Sequence, residues 1–283
     1  MNQSYIHPDA KIGKDVTIEP FAYIAGNVEI GDGCWIGPHA TILDNVKIGK
    51  NCKIYPGAII GGEPQDYKFS GEVTYVEIGD NTILREYVTV NRGTLKSGRG
   101  VTKVGNGCMI MSYSHIAHDC IIADNVVLVS YVGIAGVTDV DEYAIIGGHS
   151  AAHQFTRIGA HSMLSGGSMV GKDVPPYIVA GRRPLSFGGV NVIGLRRRGF
   201  SNDKIDEIRD IYKVIYNGGL NTSDACNEVD ATFAETPEKR AIVDFIRRER
   251  EERLGRGRSR TAELRLNFAE NRKRAGRRER ERR

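Results

Sequence analysis

Residues 115–119, with the sequence HIAHD, bring two histidines and an aspartate together. An imidazole titrates near neutral pH, so either histidine could act as a general base that accepts a proton from a hydroxyl group. Asp119 could fix the tautomer of that base and stabilise the imidazolium, as the acid does in a catalytic triad. The pattern therefore predicts hydroxyl activation, provided that the fold holds these side chains together.

The surrounding chain follows a six-residue repeat. An aliphatic residue recurs at every sixth position from Ile6 to Ile60, from Ile78 to Val90 and from Val104 to Val170, where Ala152 is the one weak member. The residue four positions later is small almost throughout. This pattern predicts a short strand and a turn for each hexad, with three hexads in each 18-residue triangular coil. The 25 hexads predict about eight coils of a parallel β-helix.

The 18-residue period places polar residues on a grid. His118, Gly136 and Gln154 take the same position in three successive coils, and the predicted patch spans about 10 Å along the axis. The patch consists of His115, His118, Asp119, Gly136, His153 and Gln154. Surface histidines at turns and metal ligands remain open as alternatives. Two coils nevertheless separate His118 from His153, which is awkward for ligands that must lie about 2 Å from one ion.

Two other segments could hold an anionic substrate. The first interruption of the repeat, residues 61–77, predicts an outward loop that carries Asp66 and Lys68, and Lys68 could bind phosphate. After the repeat ends, residues 196–198 are three consecutive arginines that could bind phosphate bidentately. A solvated loop and a solvated run of charge are the alternatives.

The net charge of +4 is unevenly distributed. Residues 247–283 contain 16 Lys or Arg and 7 Asp or Glu, a net charge of +9, which leaves −5 for residues 1–246. The mixed signs of the tail favour a solvated terminus over a nucleic-acid partner. No apolar stretch approaches the roughly 20 residues that span a bilayer, so a cytoplasmic protein is expected.

The composition and the repeat also predict the domain organisation. A β-helix is expected over residues 1–190 with loops at 61–77 and 91–103, then a helical domain over 191–253 and a basic tail over 254–283. Ser201 and either Thr222 or Ser223 are predicted as helix N-caps, and a third helix is expected from Pro237. The five cysteines lack metal-type spacing and are predicted as packed thiols.

Six motifs occur in order and together resemble one family: GGEPQDYKFSGE, NRGT, SHIAHDC, AHQF, DVPPYIVAG and GVNVIGLRRRGFS. They resemble the UDP-N-acetylglucosamine O-acyltransferases that begin lipid A biosynthesis, over roughly residues 5–250. The resemblance implies a left-handed β-helix, assembled as a homotrimer with active sites between subunits. It implies transfer of an (R)-3-hydroxyacyl group from acyl carrier protein to the 3-hydroxyl of UDP-N-acetylglucosamine. No cofactor or metal is implied, because the acyl group arrives on the phosphopantetheine arm of acyl carrier protein.

The resemblance also implies residue roles. His118 would be the general base, Asp119 its orienting partner, and the Gly136 N–H the donor to the oxyanion. The nucleotide sugar and the thioester arm would be positioned by Asp66, Lys68, His115, His153 and Gln154. Uridine and phosphate groups would be held by Asn191, Arg197 and Arg198. Met163 and Gly166 match the acyl-chain ruler, and Gly166 leaves room for a longer chain.

Two positions depart from the family pattern. Val137 stands where the family usually has histidine, and valine cannot donate a hydrogen bond. Ile193 stands where the family has an acidic residue. The alternatives to this activity are another β-helix acyltransferase that acts on the amino group of a sugar nucleotide, a γ-type carbonic anhydrase-like protein, and a non-catalytic paralogue.

Overall fold

The computed structural model describes residues 4–96, 99–217 and 219–255. Short strands stack in parallel into three sheets that form the sides of a triangular prism. The last strand, Ser186–Val190, is the exception, since it runs antiparallel to Ile178–Gly181. Sheet A contains Tyr5–Ile6, Tyr23–Ile24, Thr41–Ile42, Ile59–Gly62, Thr89–Asn91, His115–Ile116, Gly133–Ile134, Ala151–Ala152 and Met169–Val170. Sheet B contains Lys11–Ile12, Val28–Ile30, Val46–Ile48, Tyr75–Ile78, Val101–Val104, Ile121–Ile122, Asp139–Val140 and Arg157–Ile158. Sheet C contains Thr17–Ile18, Trp35–Ile36, Lys53–Ile54, Ile83–Leu84, Met109–Ile110, Val127–Leu128, Ile145–Ile146, Met163–Leu164, Ile178–Gly181 and Ser186–Val190.

The strand register has the period expected from the hexads. His115 pairs with Gly133 and Ile116 with Ile134, 18 residues apart in each case. The repeating aliphatic residues fill the inside of the prism, where Ile116 and Ile134 are fully buried. The first coil differs because no earlier coil of described residues packs against it, and Ile12 remains 36% exposed. The prediction of a parallel β-helix followed by helices is confirmed.

The three edges of the prism are called the AB, BC and CA corners, after the sheets that they join. At each corner one turn residue adopts a left-handed backbone, and these residues stack in columns every 18 positions. In the AB column, Asp119, Val137 and Phe155 have φ of 60°, 59° and 63°. Among the non-glycine residues of this kind in the described chain, only Val137 is β-branched. A β-branched side chain is strained in this conformation.

Both interruptions of the repeat lie at the AB corner, in successive coils. The first connects Ile59–Gly62 to Tyr75–Ile78, and the second connects Thr89–Asn91 to Val101–Val104. Strand Ile59–Gly62 pairs with Thr89–Asn91, and strand Tyr75–Ile78 pairs with Val101–Val104. The coils therefore stack directly on each other in spite of the loops, and no coil is missing. The strands extend further than the sequence predicts, which leaves residues 63–74 and 92–100 outside them. The next residues at this corner, one coil further on, are His118 and Asp119.

The helices follow the last strand. They are α1 (Val192–Arg197), α2 (Asn202–Asn217), α3 (Thr222–Thr232) and α4 (Pro237–Gly255). The Ser201 hydroxyl accepts a hydrogen bond from the Lys204 N–H at 3.3 Å, as expected of an N-cap. The cap predicted for α3 at Thr222 or Ser223 is wrong, since Asn221 accepts from the Asp224 N–H at 3.0 Å. The short helix α1 was not predicted. Residues 256–283, which form most of the predicted tail, lie outside the described residues.

Side-chain contacts attach the helices to the prism. The Tyr212 hydroxyl donates to the Pro176 carbonyl at 2.7 Å, and the Arg157 guanidinium donates to the Phe245 carbonyl at 2.9 Å. No helix in the described part of the chain combines the length and the apolar character needed to cross a membrane. All five cysteines are buried free thiols, as predicted.

Candidate active site

His118 lies in the AB corner turn that follows the strand His115–Ile116. Its Nδ1 is 2.8 Å from Oδ2 of Asp119, and its side chain is 13% exposed. This contact orients the ring and leaves Nε2 as the nitrogen that can accept a proton from a substrate. Adjacent residues can make this pair because Asp119 has a left-handed backbone, with φ of 60°.

Gly136 lies directly beside the His118 ring in the next coil. A Cβ at position 136 would lie 2.4 Å from His118 Nε2 and 2.5 Å from Cε1, so any side chain there would displace the ring. The N–H groups of the two neighbours have acceptors, the Ala152 and His118 carbonyls. The Gly136 N–H has no acceptor among the described residues. The arrangement therefore places a base nitrogen beside a backbone donor, which is what attack on a carbonyl requires.

His115 points outward from sheet A below His118. Its Nδ1 is 2.7 Å from the Thr89 hydroxyl. Burial, and then the nearby charge of His118, lower the pKa of His115, so it is held neutral at neutral pH. A neutral imidazole in this place can offer one donor and one acceptor to a polar substrate.

His153 and Gln154 lie at the AB corner, two coils above His118. Both are exposed, and His153 Nδ1 is 3.0 Å from the Gln154 carbonyl. The predicted patch thus has a compact part, which comprises His115, His118, Asp119 and Gly136, and an outer part formed by the other two. Within the described residues, no three His, Cys, Asp or Glu side chains are grouped in a way that could hold a metal ion.

Residues 63–74 and 92–100 form the first and second AB loops, and the first carries the charged candidates Asp66 and Lys68 on its outer side. The Asp66 carboxylate accepts the Lys68 N–H at 2.9 Å and so closes a local turn. The Lys68 side chain is exposed, and Tyr67 between them is fully exposed. Arg92, at the start of the second loop, lies 6.0 Å from the ring centre of Phe69 in the first. The two loops therefore contact each other.

The three consecutive arginines, predicted as a possible phosphate-binding segment, have separate surroundings in the structure. They lie on and just after the helix α1, which points successive side chains in different directions. Arg196 donates to the Asn202 side chain at 3.1 and 3.2 Å. Arg198 turns to the BC corner, where it donates to the Tyr143 carbonyl at 2.8 Å and lies 5.3 Å from the centre of that ring. Arg197 is exposed.

The Arg198 guanidinium is the most constrained of these groups. Burial lowers its pKa, and its Nη1 has no hydrogen-bond partner among the described residues. Asn191 lies close by, with its amide donating to the His161 carbonyl at 2.9 Å. A half-buried guanidinium of this kind carries a positive charge that could attract an anionic group.

The candidates of one chain lie around all three sides of the prism. His118 is at the AB corner, Asn191 and Arg198 are near the BC corner, and Met163 and Gly166 are on sheet C and at the CA corner. A single chain therefore does not bring these three groups into one pocket.

Sequence reasoning missed three residues at the His118 site. Thr89 contacts His115, Thr94 contacts Asp119, and Arg99 contacts both Asp119 and Asp139. Thr94 belongs to the NRGT motif, which carried the resemblance but had no assigned role. That motif was the available signal.

The chain is similar to known proteins over most of its length. The family model described as UDP-N-acetylglucosamine O-acyltransferase, domain 2, matches residues 173–257, and the bacterial transferase hexapeptide model matches 27–62 and 102–136. An acyl-[acyl-carrier-protein]–UDP-N-acetylglucosamine O-acyltransferase from Thiobacillus denitrificans is 43% identical over 243 residues, which cover 86% of this chain and 94% of that protein.

Solved structures give the same relationship. A UDP-N-acetylglucosamine acyltransferase from Bacteroides fragilis superposes with a TM-score of 0.85 at 48% identity and covers 87% of this chain and 96% of its own. The Acinetobacter baumannii protein superposes with a TM-score of 0.85 at 35% identity, over 88% and 96% of the two chains. This chain belongs to the acyl-[acyl-carrier-protein]–UDP-N-acetylglucosamine O-acyltransferase family.

Proposed function

We propose that this protein transfers an (R)-3-hydroxyacyl group from acyl carrier protein to the 3-hydroxyl of UDP-N-acetylglucosamine, the first step of lipid A biosynthesis. The observation that supports this assignment most directly is the His118–Asp119 pair, 2.8 Å apart, with His118 Nε2 against the backbone of Gly136. Those groups are the base, its partner and the donor that acyl transfer from a thioester needs.

In the proposed reaction, the sugar 3-hydroxyl gives its proton to His118 Nε2 while its oxygen attacks the thioester carbonyl carbon. The carbonyl oxygen becomes an oxyanion, which the Gly136 N–H stabilises. Collapse of this intermediate breaks the carbon–sulfur bond, and the departing thiolate takes the proton from the imidazolium. The products are the 3-O-acylated sugar nucleotide and acyl carrier protein with a free thiol.

Asp119 has two roles in this scheme. As the hydrogen-bond partner of His118 Nδ1, it keeps the proton on that nitrogen and leaves Nε2 free to accept one. As a buried carboxylate, it stabilises the imidazolium that forms when the hydroxyl is deprotonated. Val137 takes no part in proton transfer, so the loss of the family histidine leaves this chemistry intact.

The outer faces of the sheets support a homotrimer. On sheet B the outward residues of the first five strands alternate in charge: Lys11, Glu29, Lys47, Glu77 and Lys103. On sheet C the outward residues of six strands are apolar: Ile83, Met109, Val127, Ile145, Met163 and Val179. A continuous apolar face of this kind marks a protein–protein contact, whereas the charged face is suited to water. Assembly into a threefold trimer that covers sheet C would remove the apolar face from water and leave the charged face of sheet B exposed.

Assembly would also complete the site. The nucleotide candidates Asn191, Arg197 and Arg198 and the acyl-chain candidates lie away from the His118 corner of their own chain, so neighbouring copies would supply them. We assign Arg198, a half-buried guanidinium, to a phosphate group of the substrate. His115, Asp66, Lys68, His153 and Gln154, all on the AB side, would then contact the sugar and the thioester arm.

Met163 and Gly166 are proposed to limit the acyl chain. Met163 points outward from sheet C, and Gly166 is exposed at the CA corner. The space left by this glycine favours a longer rather than a short acyl chain.

Incubation with UDP-N-acetylglucosamine, or its 3-amino analogue, and a series of 3-hydroxyacyl carrier proteins tests the proposal, with products read by mass spectrometry. The expected product carries a long 3-hydroxyacyl group on the 3-oxygen, and its formation depends on His118. Products with short chains only would refute the ruler assignment, and the absence of any acylated sugar would refute the function. Light scattering should give three times the 31.1 kDa chain mass.

A further inference from the structure

We infer that Thr94, assisted by Arg99, is a positioning residue that holds Asp119 in the orientation needed to align His118. The inference rests on the proposed role of His118 as the base. Thr94 and Arg99 belong to the second loop at the AB corner, whose described residues are 92–96 and 99–100.

Thr94 binds the side chain of Asp119 with both of its donors. Its N–H lies 2.9 and 3.0 Å from the two carboxylate oxygens, and its hydroxyl lies 2.8 Å from Oδ2. Oδ2 is also the oxygen that contacts His118 Nδ1. Thr94 therefore determines both the direction of that oxygen and how much of its negative charge faces the imidazole.

The backbone of Asp119 is held from both sides as well. Its N–H donates to the Thr102 hydroxyl at 2.7 Å, and its carbonyl accepts from the Arg99 guanidinium at 2.7 Å. Arg99 is itself held by two hydrogen bonds to the Asp139 carboxylate, at 2.6 and 2.9 Å. The AB turn at Asp119 is thus tied to sheet B one coil above.

The burial of Asp119 explains why these partners are needed. The residue is fully buried, and an ionised carboxylate removed from water is costly unless donors replace its hydration. Donors fixed by the protein also prevent the carboxylate from rotating away from His118. Since a small misplacement of a reacting group lowers the rate strongly, loss of this restraint should lower kcat more than it alters substrate binding.

The hydroxyl of Thr94 should also affect the pH dependence. The charged groups that face His118 are Asp119 and, when protonated, His115, with Arg99 on the far side of Asp119. Without the hydroxyl the carboxylate can turn away from His118, which weakens its stabilisation of the imidazolium. The acid limb of the kcat/KM profile, which reports the free base, should then move to lower pH.

The experiment compares Thr94→Val with Thr94→Ser in the full-length enzyme. Valine keeps the shape and removes the hydroxyl, whereas serine retains it. We expect Thr94→Val to lower kcat by about tenfold, with KM for UDP-N-acetylglucosamine within about twofold, and to move the acid limb down by roughly half a pH unit. Thr94→Ser should restore both values to near those of the unchanged enzyme.

Thr82→Val is the matched control. Thr82 is also fully buried, and its hydroxyl donates to the Gly105 carbonyl at 2.7 Å, away from His118. This variant should retain kcat and the pH profile even if its stability falls. If Thr94→Val does not fold, Arg99→Gln tests the same restraint. This variant should also lower kcat by several fold, and a wild-type rate in Arg99→Gln would overturn the inference.

The outcomes separate this inference from the proposed function. If His118→Ala abolishes turnover while Thr94→Val keeps a wild-type kcat and pH profile, the positioning role is refuted and the base assignment stands. If His118→Ala retains turnover, the base assignment fails, and the positioning role fails with it. Equal losses in Thr94→Val and Thr94→Ser would show that packing, not the hydroxyl, matters, which also overturns the inference.

Discussion

The turn columns at the CA and AB corners share a backbone conformation and differ in side chains. At the CA corner, Tyr87, Tyr113, Tyr131 and His149 stack in sequence with ring centres 5.0, 5.0 and 4.8 Å apart. At the AB corner, the equivalent column reads Asp119, Val137 and Phe155. The coil spacing of a β-helix matches the spacing of stacked rings, so an aromatic column stabilises the rod wherever chemistry does not interfere.

The AB corner departs from this regular aromatic stack in three ways. A carboxylate replaces an aromatic ring, a strained valine follows it, and both long loops are inserted at the same corner just below. A repeating scaffold therefore concentrates its irregularities at one edge, and the residues that can do chemistry are found there. The predictions that follow test this contrast between a catalytic corner and a structural one.

The largest effect is expected at His118. His118→Ala removes the general base and should lower kcat by about 10²–10⁴-fold with the fold intact. His39 is the matched control, since it stacks on Phe21 in the CA column with ring centres 5.0 Å apart. His39→Ala should leave turnover unchanged. Steady-state kinetics with circular dichroism checks both, and near wild-type turnover in His118→Ala would refute the assignment.

Gly136→Ala should give the next largest effect. The new methyl group would overlap His118 Nε2, so the ring must move, and kcat should fall by about tenfold to a hundredfold. Gly171→Ala is the comparison, because a Cβ there meets nothing within 4 Å. A crystal structure of Gly136→Ala should show a rotated His118, and an unmoved ring with full activity would contradict the argument.

His161, in the BC column, should make stability depend on pH. Burial, and then the nearby charge of Arg198, lower its pKa to about 4. The unfolded chain takes up a proton near pH 6.5 and the folded chain does not, so this contribution is complete above pH 6.5 and is lost as pH falls towards 4. Between pH 6.5 and 5 the loss should be about 1.5 kcal/mol. His161→Phe, which keeps an aromatic ring, should reduce that loss in denaturant unfolding.

Tyr113 should affect stability without affecting catalysis. It stacks between Tyr87 and Tyr131, and Tyr113→Ala should lower the free energy of unfolding by about 1 kcal/mol. Thermal unfolding and turnover, measured together, check this. A tenfold loss of kcat would show that the CA column is not merely structural.

Val137 should give the smallest change. Histidine adopts the same left-handed turn at His39 and His149, with φ of 58° and 57°, and tolerates it better than valine. Val137→His should therefore raise the free energy of unfolding by about 0.5 kcal/mol and leave activity unchanged or higher. Unfolding curves and kinetics decide the outcome, and a collapse of activity would mean that the site has been rebuilt around valine.

Much of the site was predictable because, in a β-helix, residues 18 positions apart in the chain lie next to each other in successive coils. The 18-residue period alone placed His118 beside Gly136, and the structure shows them in contact. The same period predicted which residues fill the prism. It could not predict that α1 turns Arg196 and Arg198 in different directions, because residues 196–198 lie beyond the repeat.

The sequence by itself determined the coil, the buried aliphatic column and the corner at which His115, His118 and Asp119 meet, since each depends only on local spacing. The tertiary structure decided what holds Asp119, because Thr94 and Arg99 reach it from a loop 20 to 25 residues earlier. It also decided that Asn191 and Arg198 lie away from His118 in the same chain. Such contacts depend on how irregular segments fold back on the rod, and no period in the sequence encodes that.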